Sequence, residues 1–243
     1  MIRYILCSTV LAAMLVQPLA AQESKLSADL AAVPGEAIGF LHVRVGDLWK
    51  SDAFKDMRAM IAKAGPKAFE AFDSRFVPAP STIDRITLIG IMPANPANEP
   101  PIVVIVGCNA SFDKAKMVKS LLPAGKEIKA GDGVFFADED LGLAIRAIDD
   151  ETVAFASVDI MRQFVEMKTK APHPFASALS AAAAKRHLVL ALNASMLPNE
   201  VVAELPEPLQ PLARVKMAQL ALDIGIYYTN TGKRTPESKG PDE

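Results

Sequence analysis

Residues 84–107, DRITLIGIMPANPANEPPIVVIVG, decide the fold. In the first nine, Ile86, Leu88 and Gly90 fall on one side of an extended chain and Thr87, Ile89 and Ile91 on the other, the period of a strand. PANPANEPP then reads as a proline-rich loop at the end of a hairpin, and Ile102 to Gly107 as the returning strand. That return has no polar residue, so it should be covered on both faces and lie in the middle of a sheet.

Upstream, AIGFLHVRV (37–45) alternates as well: Ile38, Phe40, His42 and Arg44 share one face, and Gly39, Leu41, Val43 and Val45 the other. Asp47 is an expected N-cap for a helix carrying Leu48, Trp49, Phe54, Met57, Met60 and Ile61, with Ser51 or Asp52 as an alternative start after a short turn. Beyond Gly65-Pro66, Lys67 to Phe76 reads as a second helix with Phe69, Phe72 and Phe76 on one side. Downstream, Ser111 is expected to cap a helix over Phe112 to Leu122. Gly133 to Ala137, Leu141 to Ile148 and Thr152 to Ala156 form an antiparallel meander, turning at the acidic clusters 138–140 and 149–151. Asp159 should cap a helix through Met167, and Pro174 to Ala184 should form an alanine-rich one. His187 to Asn193 and Met217 to Ile226 close the set as apolar strands. The fold class expected is α+β: a mixed, mainly antiparallel sheet with helices packed on one face.

A strand, a polar cap and a helix recur at FLHVRVGD, IVVIVGCNAS and HLVLALNAS, the last two sharing Asn-Ala-Ser. The order around 37–92 and 187–226 is also alike, which predicts one module over 26–184 and a partial second over 185–228, packed on the first or extending it. Residues 229–243, a polar stretch without apolar periodicity, are expected to be a disordered tail.

Residues 1–21, MIRYILCSTVLAAMLVQPLAA, have the layout of an export signal: Arg3, a short apolar run, a break at Gln17-Pro18, and small residues before a cut after Ala21. The run is shorter than the roughly 20 residues of a bilayer span, so no stable membrane anchor is expected after cleavage. Cys7 would leave with the leader and Cys108 would remain alone, which excludes an intramolecular disulfide. A net charge of −2, one unit more negative without Arg3, does not recruit nucleic acid or an anionic surface through bulk charge. With 51% hydrophobic residues the rest of the chain can bury a sizeable core.

LSADLAAVPGEAIGFLHVRVGDLWKSDAF, together with the later KRHLVLALNASMLP, resembles a family of exported bacterial proteins without an assigned activity. Their modules open with a Leu-Pro-Ala-Asp-like turn, continue into a strand, and start a helix at Asp-Leu-Trp. The likeness extends over most of 26–226, with Gly35-Glu36 standing where the usual pattern has Ala-Asp. It implies fold and export, and it carries over no catalytic residue.

No motif in the chain marks a reaction centre. His42, His173 and His187 lack the i, i+4 pairing or cysteine partners of a zinc site, and His173 reads as an exposed loop residue. Ser111 and Ser195 stand at strand-to-helix turns that need caps, and Gly-x-Ser-x-Gly does not occur. Cys108 has no His or Asn nearby in sequence and reads as a small buried hydrophobe. The acidic clusters lack the alternation and glycine of a calcium loop and read as solvated turns, and Gly131 to Gly133 as a tight turn into VFFA. Trp49, Phe54, Phe69, Phe72 and Phe76 read as a helix-to-sheet core. The sequence therefore nominates no catalytic, cofactor-binding or metal residue and no cofactor. It predicts an exported, non-catalytic periplasmic or envelope module acting by structural support or protein contact, with another envelope protein or a second copy as partner. The alternative is a secreted hydrolase or small-ligand-binding protein whose site forms only in three dimensions.

Overall fold

The computed structural model describes residues 26–63, 65–93, 100–167, 172–197 and 217–223. The leader expected at 1–21 and the tail at 229–243 lie outside them.

The protein is α+β. Nine strands form one sheet: β1 (Gly39–Val43), β2 (Ile83–Gly90), β3 (Ile102–Cys108), β4 (Lys126–Ala130), β5 (Gly133–Asp138), β6 (Leu143–Ala147), β7 (Thr152–Ser157), β8 (Leu188–Asn193) and β9 (Met217–Leu222). Their order is β4-β5-β6-β7-β3-β2-β1-β8-β9, which puts the all-apolar strand β3 in the middle, as its composition requires. Each pairing is antiparallel, so the sheet is not mixed. Strand β4, KEIKA, is missed by its sequence because an edge strand needs only one buried face; here Ile128 and Ala130 turn inward and the charges outward. Gly131, at φ +53°, opens the turn that returns β4 into β5.

Among the described residues seven α-helices accompany the sheet: α1 (Ala28–Ala31), α2 (Val45–Lys50), α3 (Lys55–Lys63), α4 (Pro66–Asp73), α5 (Lys114–Leu121), α6 (Val158–Glu166) and α7 (Ala176–Ala183). On one sheet face, Phe40, Ile89, Val103, Ile105, Phe135 and Ala154 meet Leu30 of α1, Met161 and Phe164 of α6, and Leu179 of α7 in the main core. Phe40 and Phe175 cross edge to face at 5.6 Å. The one-face expectation fails at α5. This helix lies on the opposite face, where Met117, with no exposed surface, joins Val106, Cys108, Ile145 and Val153 in a second core.

Local chemistry corrects the expected helix starts. Asp113, not Ser111, caps α5, its carboxylate accepting from the Lys116 amide at 2.9 Å. Asp47 lies in the first turn of α2, paired with Arg44 at 2.5 Å, and the chain breaks at Ser51 before α3, as the alternative start predicts. Asp159 likewise sits in the first turn of α6, after Ser157 at the N-cap. The expected aromatic core around Trp49 is absent: neither α3 nor α4 buries a residue, and Trp49, Phe69, Phe72 and Phe76 are exposed.

Strands β8 and β9 extend the sheet beside β1. The run β2-β1-β8-β9 reads alike in both directions about the antiparallel pair of β1 and β8, which centres on Leu41 opposite Leu190.

Candidate functional site

Two features stand out from the fold: a polar cluster under α1 and an apolar sheet face half of which no described helix covers. The cluster starts with Asp29, whose carboxylate sits over β1 and β2 with no exposed surface. Arg85 Nε donates to its Oδ1 at 2.7 Å and Thr87 Oγ1 to its Oδ2 at 3.0 Å. His42 Nδ1 lies 2.9 Å from Thr87 Oγ1 and 3.3 Å from Asp29 Oδ2. Because the Thr87 hydroxyl spends its proton on Asp29, Nδ1 is the protonated ring nitrogen, and its N–H faces both acceptors, Thr87 Oγ1 and Asp29 Oδ2. Arg85 reaches Asp29 across its strand neighbour Gly107, where a Cβ would stand 2.6 Å from the guanidinium Nε. Burial alone would raise the Asp29 carboxyl; hydrogen bonds from His42, Ser27 and Arg85, with the Arg85 charge, outweigh it and hold the group well below the usual carboxylate range.

An oriented His beside a carboxylate and a hydroxyl is the raw material of acid–base chemistry, which must also face a reacting atom. His42 is 1% exposed, and Asp29 and Thr87 not at all. No substrate reaches them. The cluster joins α1 to β1 and β2, and its three buried polar side chains, Asp29, His42 and Thr87, find partners in one another and in the partly exposed Arg85.

The remaining sequence candidates are dispersed. His187, at the β8 start, lies 3.7 Å from Asp223, which also pairs with Arg186 and accepts from the His187 amide. His173 is half-buried, correcting its reading as an exposed loop residue: Nδ1 accepts from the Phe175 amide at 3.1 Å, so Nε2 carries the proton and donates to the Val33 carbonyl at 2.9 Å. Cys108 is buried, and burial pushes its thiol up, away from a reactive thiolate. Ser195 donates to Asn193 Oδ1 at 2.6 Å in a short turn. Asp138 is not the solvated turn residue expected: it is 3% exposed and accepts from the amides of Ala124 and Leu141. Asp150, in the other acidic turn, pairs with Lys114 at 2.8 Å. Among the described residues no group of three or more His, Cys, Asp or Glu side chains could hold a metal ion.

The second sheet face carries an apolar row through the register of eight strands: Phe136, Ile145, Phe155, Val104, Leu88, Leu41, Leu190 and Leu220. Helix α5 seals the half with Ile145. The other half is open, with Leu190 42%, Leu220 49% and the neighbouring Ile102 53% exposed. Gly39 and Gly90, paired side by side, bare the floor of a 360 Å³ trough walled by Leu41, Leu88, Ile102 and Leu192. Strict alternation in β1 and β2 marks this face as apolar, but alternation does not say which half a helix covers.

No protein-family model matches the chain. No curated protein matches it either. A solved structure described as "Structure of crystal form III of TP0453" is similar at 11% identity with a TM-score of 0.36. The match covers 68% of this chain and spans 62% of that one. Among the described residues no helix is long and apolar enough to cross a membrane.

Proposed function

We propose that the protein is an exported, non-catalytic contact module of the cell envelope that docks through the open half of its second sheet face onto an apolar surface of another envelope protein or a second copy. The observation that carries this reading is the leucine row Leu88-Leu41-Leu190-Leu220, which continues the row packed under α5 but has no described helix over it, with Leu190 and Leu220 exposed. Contiguous apolar surface on one side of a sheet marks an interaction site more often than a scatter of single residues does. Sealing of the His42–Asp29 pair weighs against the hydrolase alternative.

The test is association measured by light scattering and by pull-down from envelope extract. Wild-type protein is expected to enter a complex that the double variant L190D/L220D does not, with the melting temperature of the variant within a few degrees of wild type because both positions are exposed. Equal association by both proteins removes the reading. The trough itself favours a second reading, a small apolar ligand, since its volume falls within the ~300–1,000 Å³ of ligand pockets. Gly90→Val separates the two: a Cβ there meets nothing closer than 3.9 Å, so the variant fills the trough and stops uptake of a fluorescent fatty acid by a monomer while the outer leucines stay available to a protein.

A further inference from the structure

The residues between β1 and β2 project two amphipathic helices that the rest of the described chain does not cover. In α3, at 100° per residue, Met57, Met60 and Ile61 share one side, and Lys55 and Lys63 lie on the other. In α4 and the turn after it, Phe69, Phe72 and Phe76 form one stripe, with the Phe72 and Phe76 rings 5.0 Å apart. Neither helix buries a residue, and Trp49, Met57, Met60, Phe69, Phe72 and Phe76 are between 37% and 64% exposed. This is not a core awaiting a sheet: Arg58 anchors the base of the arm on the Trp49 and Ser51 carbonyls and leaves the apolar sides outward.

The charge of the same stretch is opposite to that of the whole. Residues 50–76 hold six basic side chains against four acidic ones, an excess of two positive charges on a chain of net −2. Lys55, Lys63, Lys67 and Arg75 are exposed. Of the acids, Asp73 accepts from the Ser81 amide, and Asp52, Asp56 and Glu70 are exposed. Lysines are depleted from the cores of protein interfaces, whereas helices with Phe, Trp and Met on one side and Lys and Arg on the other settle at the headgroup level of anionic bilayers, with the lysine stems snorkelling outward. We propose that the α3–α4 arm is a membrane-surface contact that lays its aromatic side on anionic lipid. It works independently of the leucine row, on a different part of the molecule, so either reading can fail without the other.

Trp49 is the sole tryptophan and sits at the base of the arm, which makes it a built-in reporter. Full-length protein is mixed with vesicles of phosphatidylcholine alone or with about one third phosphatidylglycerol, in low and high salt. The expected result is a blue shift of Trp49 emission and protection from a water-soluble quencher on the anionic vesicles, reversed by salt. Partitioning should be at least about tenfold weaker in F69S/F72S/F76S and in K55E/K63E/K67E. Residues 1–21 are common to all these proteins, so the differences report the arm. Circular dichroism should show the variants folded, since none of the substituted side chains is buried. Three outcomes overturn the proposal: Trp49 emission unchanged on both vesicles, an equal shift on neutral and anionic vesicles, or a lipid-independent shift that grows with protein concentration and marks the arm as a contact between copies.

Discussion

Asp29 shows what one residue does when the groups around it are chosen to suit its charge. Its carboxylate accepts from Arg85 and Thr87 inside the protein, and removing it leaves Thr87 without that acceptor and Arg85 with only the longer contact to Asp84 at 3.4 Å. Asp29→Asn is expected to destabilise the protein by about 3 kcal/mol, read from urea unfolding at neutral pH; the lower part of the range for broken buried pairs is appropriate because Arg85 is 17% exposed. The pH dependence has a definite sign. The folded-state value lies well below the ordinary 3.8 of an aspartate, so the ionised group stabilises the fold at all pH above that, and the contribution drains away as pH falls through the folded value. Wild type should therefore lose stability steeply below about pH 4, and Asp29→Asn should lose less over the same interval. A parallel decline in the two proteins would show that Asp29 is not ionised in the fold. Sequence pattern could not point to this residue, because Ala28–Ala31 is too short for helical periodicity to register. The traces it leaves are Arg85, Thr87 and His42 beside Ile89 and Phe40 on the inner strand faces, and a glycine at 107 inside a strand, where Arg85 crosses.

Among the elements, α5 and α4 are both eight residues long with an apolar stripe, and they meet opposite fates. Met117→Ala in α5 opens a void in a sealed cluster and is expected to cost about 2–5 kcal/mol. Phe72→Ser in α4 should stay within about 0.5 kcal/mol of wild type despite removing a larger side chain. Thermal melts of the two variants distinguish a buried from a merely amphipathic helix; equal losses would place α4 in a core. Periodicity revealed that both segments are helices, and the alternation of β1, β2 and the meander located the strands. It could not say what each helix packs against, since burial is decided by partners distant in sequence. The same blindness applies to β4, whose charged outward side hides a strand that exists because β5 pairs with it. The helix caps went astray by a few residues because Ser111, Asp113, Asp47 and Asp159 are all chemically able to cap and only the path of the chain chooses among them.

For the whole molecule, the strand order makes the two ends of the described chain one structure. Val189 and Ala191 of β8 are almost wholly buried against the face that holds Phe40, and α7 packs on the same strand. Ending the chain after Ala184 takes away β8 and β9, strips one side of β1, and opens the main core next to Phe40. Such a protein is expected to lose its cooperative melt and to bind a hydrophobic dye; a truncated chain that melts as sharply as wild type would make 26–184 a self-sufficient unit. Strand β3, the open leucine face and the α3–α4 arm all belong to the same body, which therefore offers two chemically distinct surfaces.

The β1–β8 seam also sets a timetable. A chain emerging amino end first exposes His42 and its neighbours long before Val189 arrives to pair with them, so the newborn polypeptide must wait, half-zipped, for almost the entire described length to appear. The β8 side of β1 therefore stays unpaired until nearly the last of the described strands has been made.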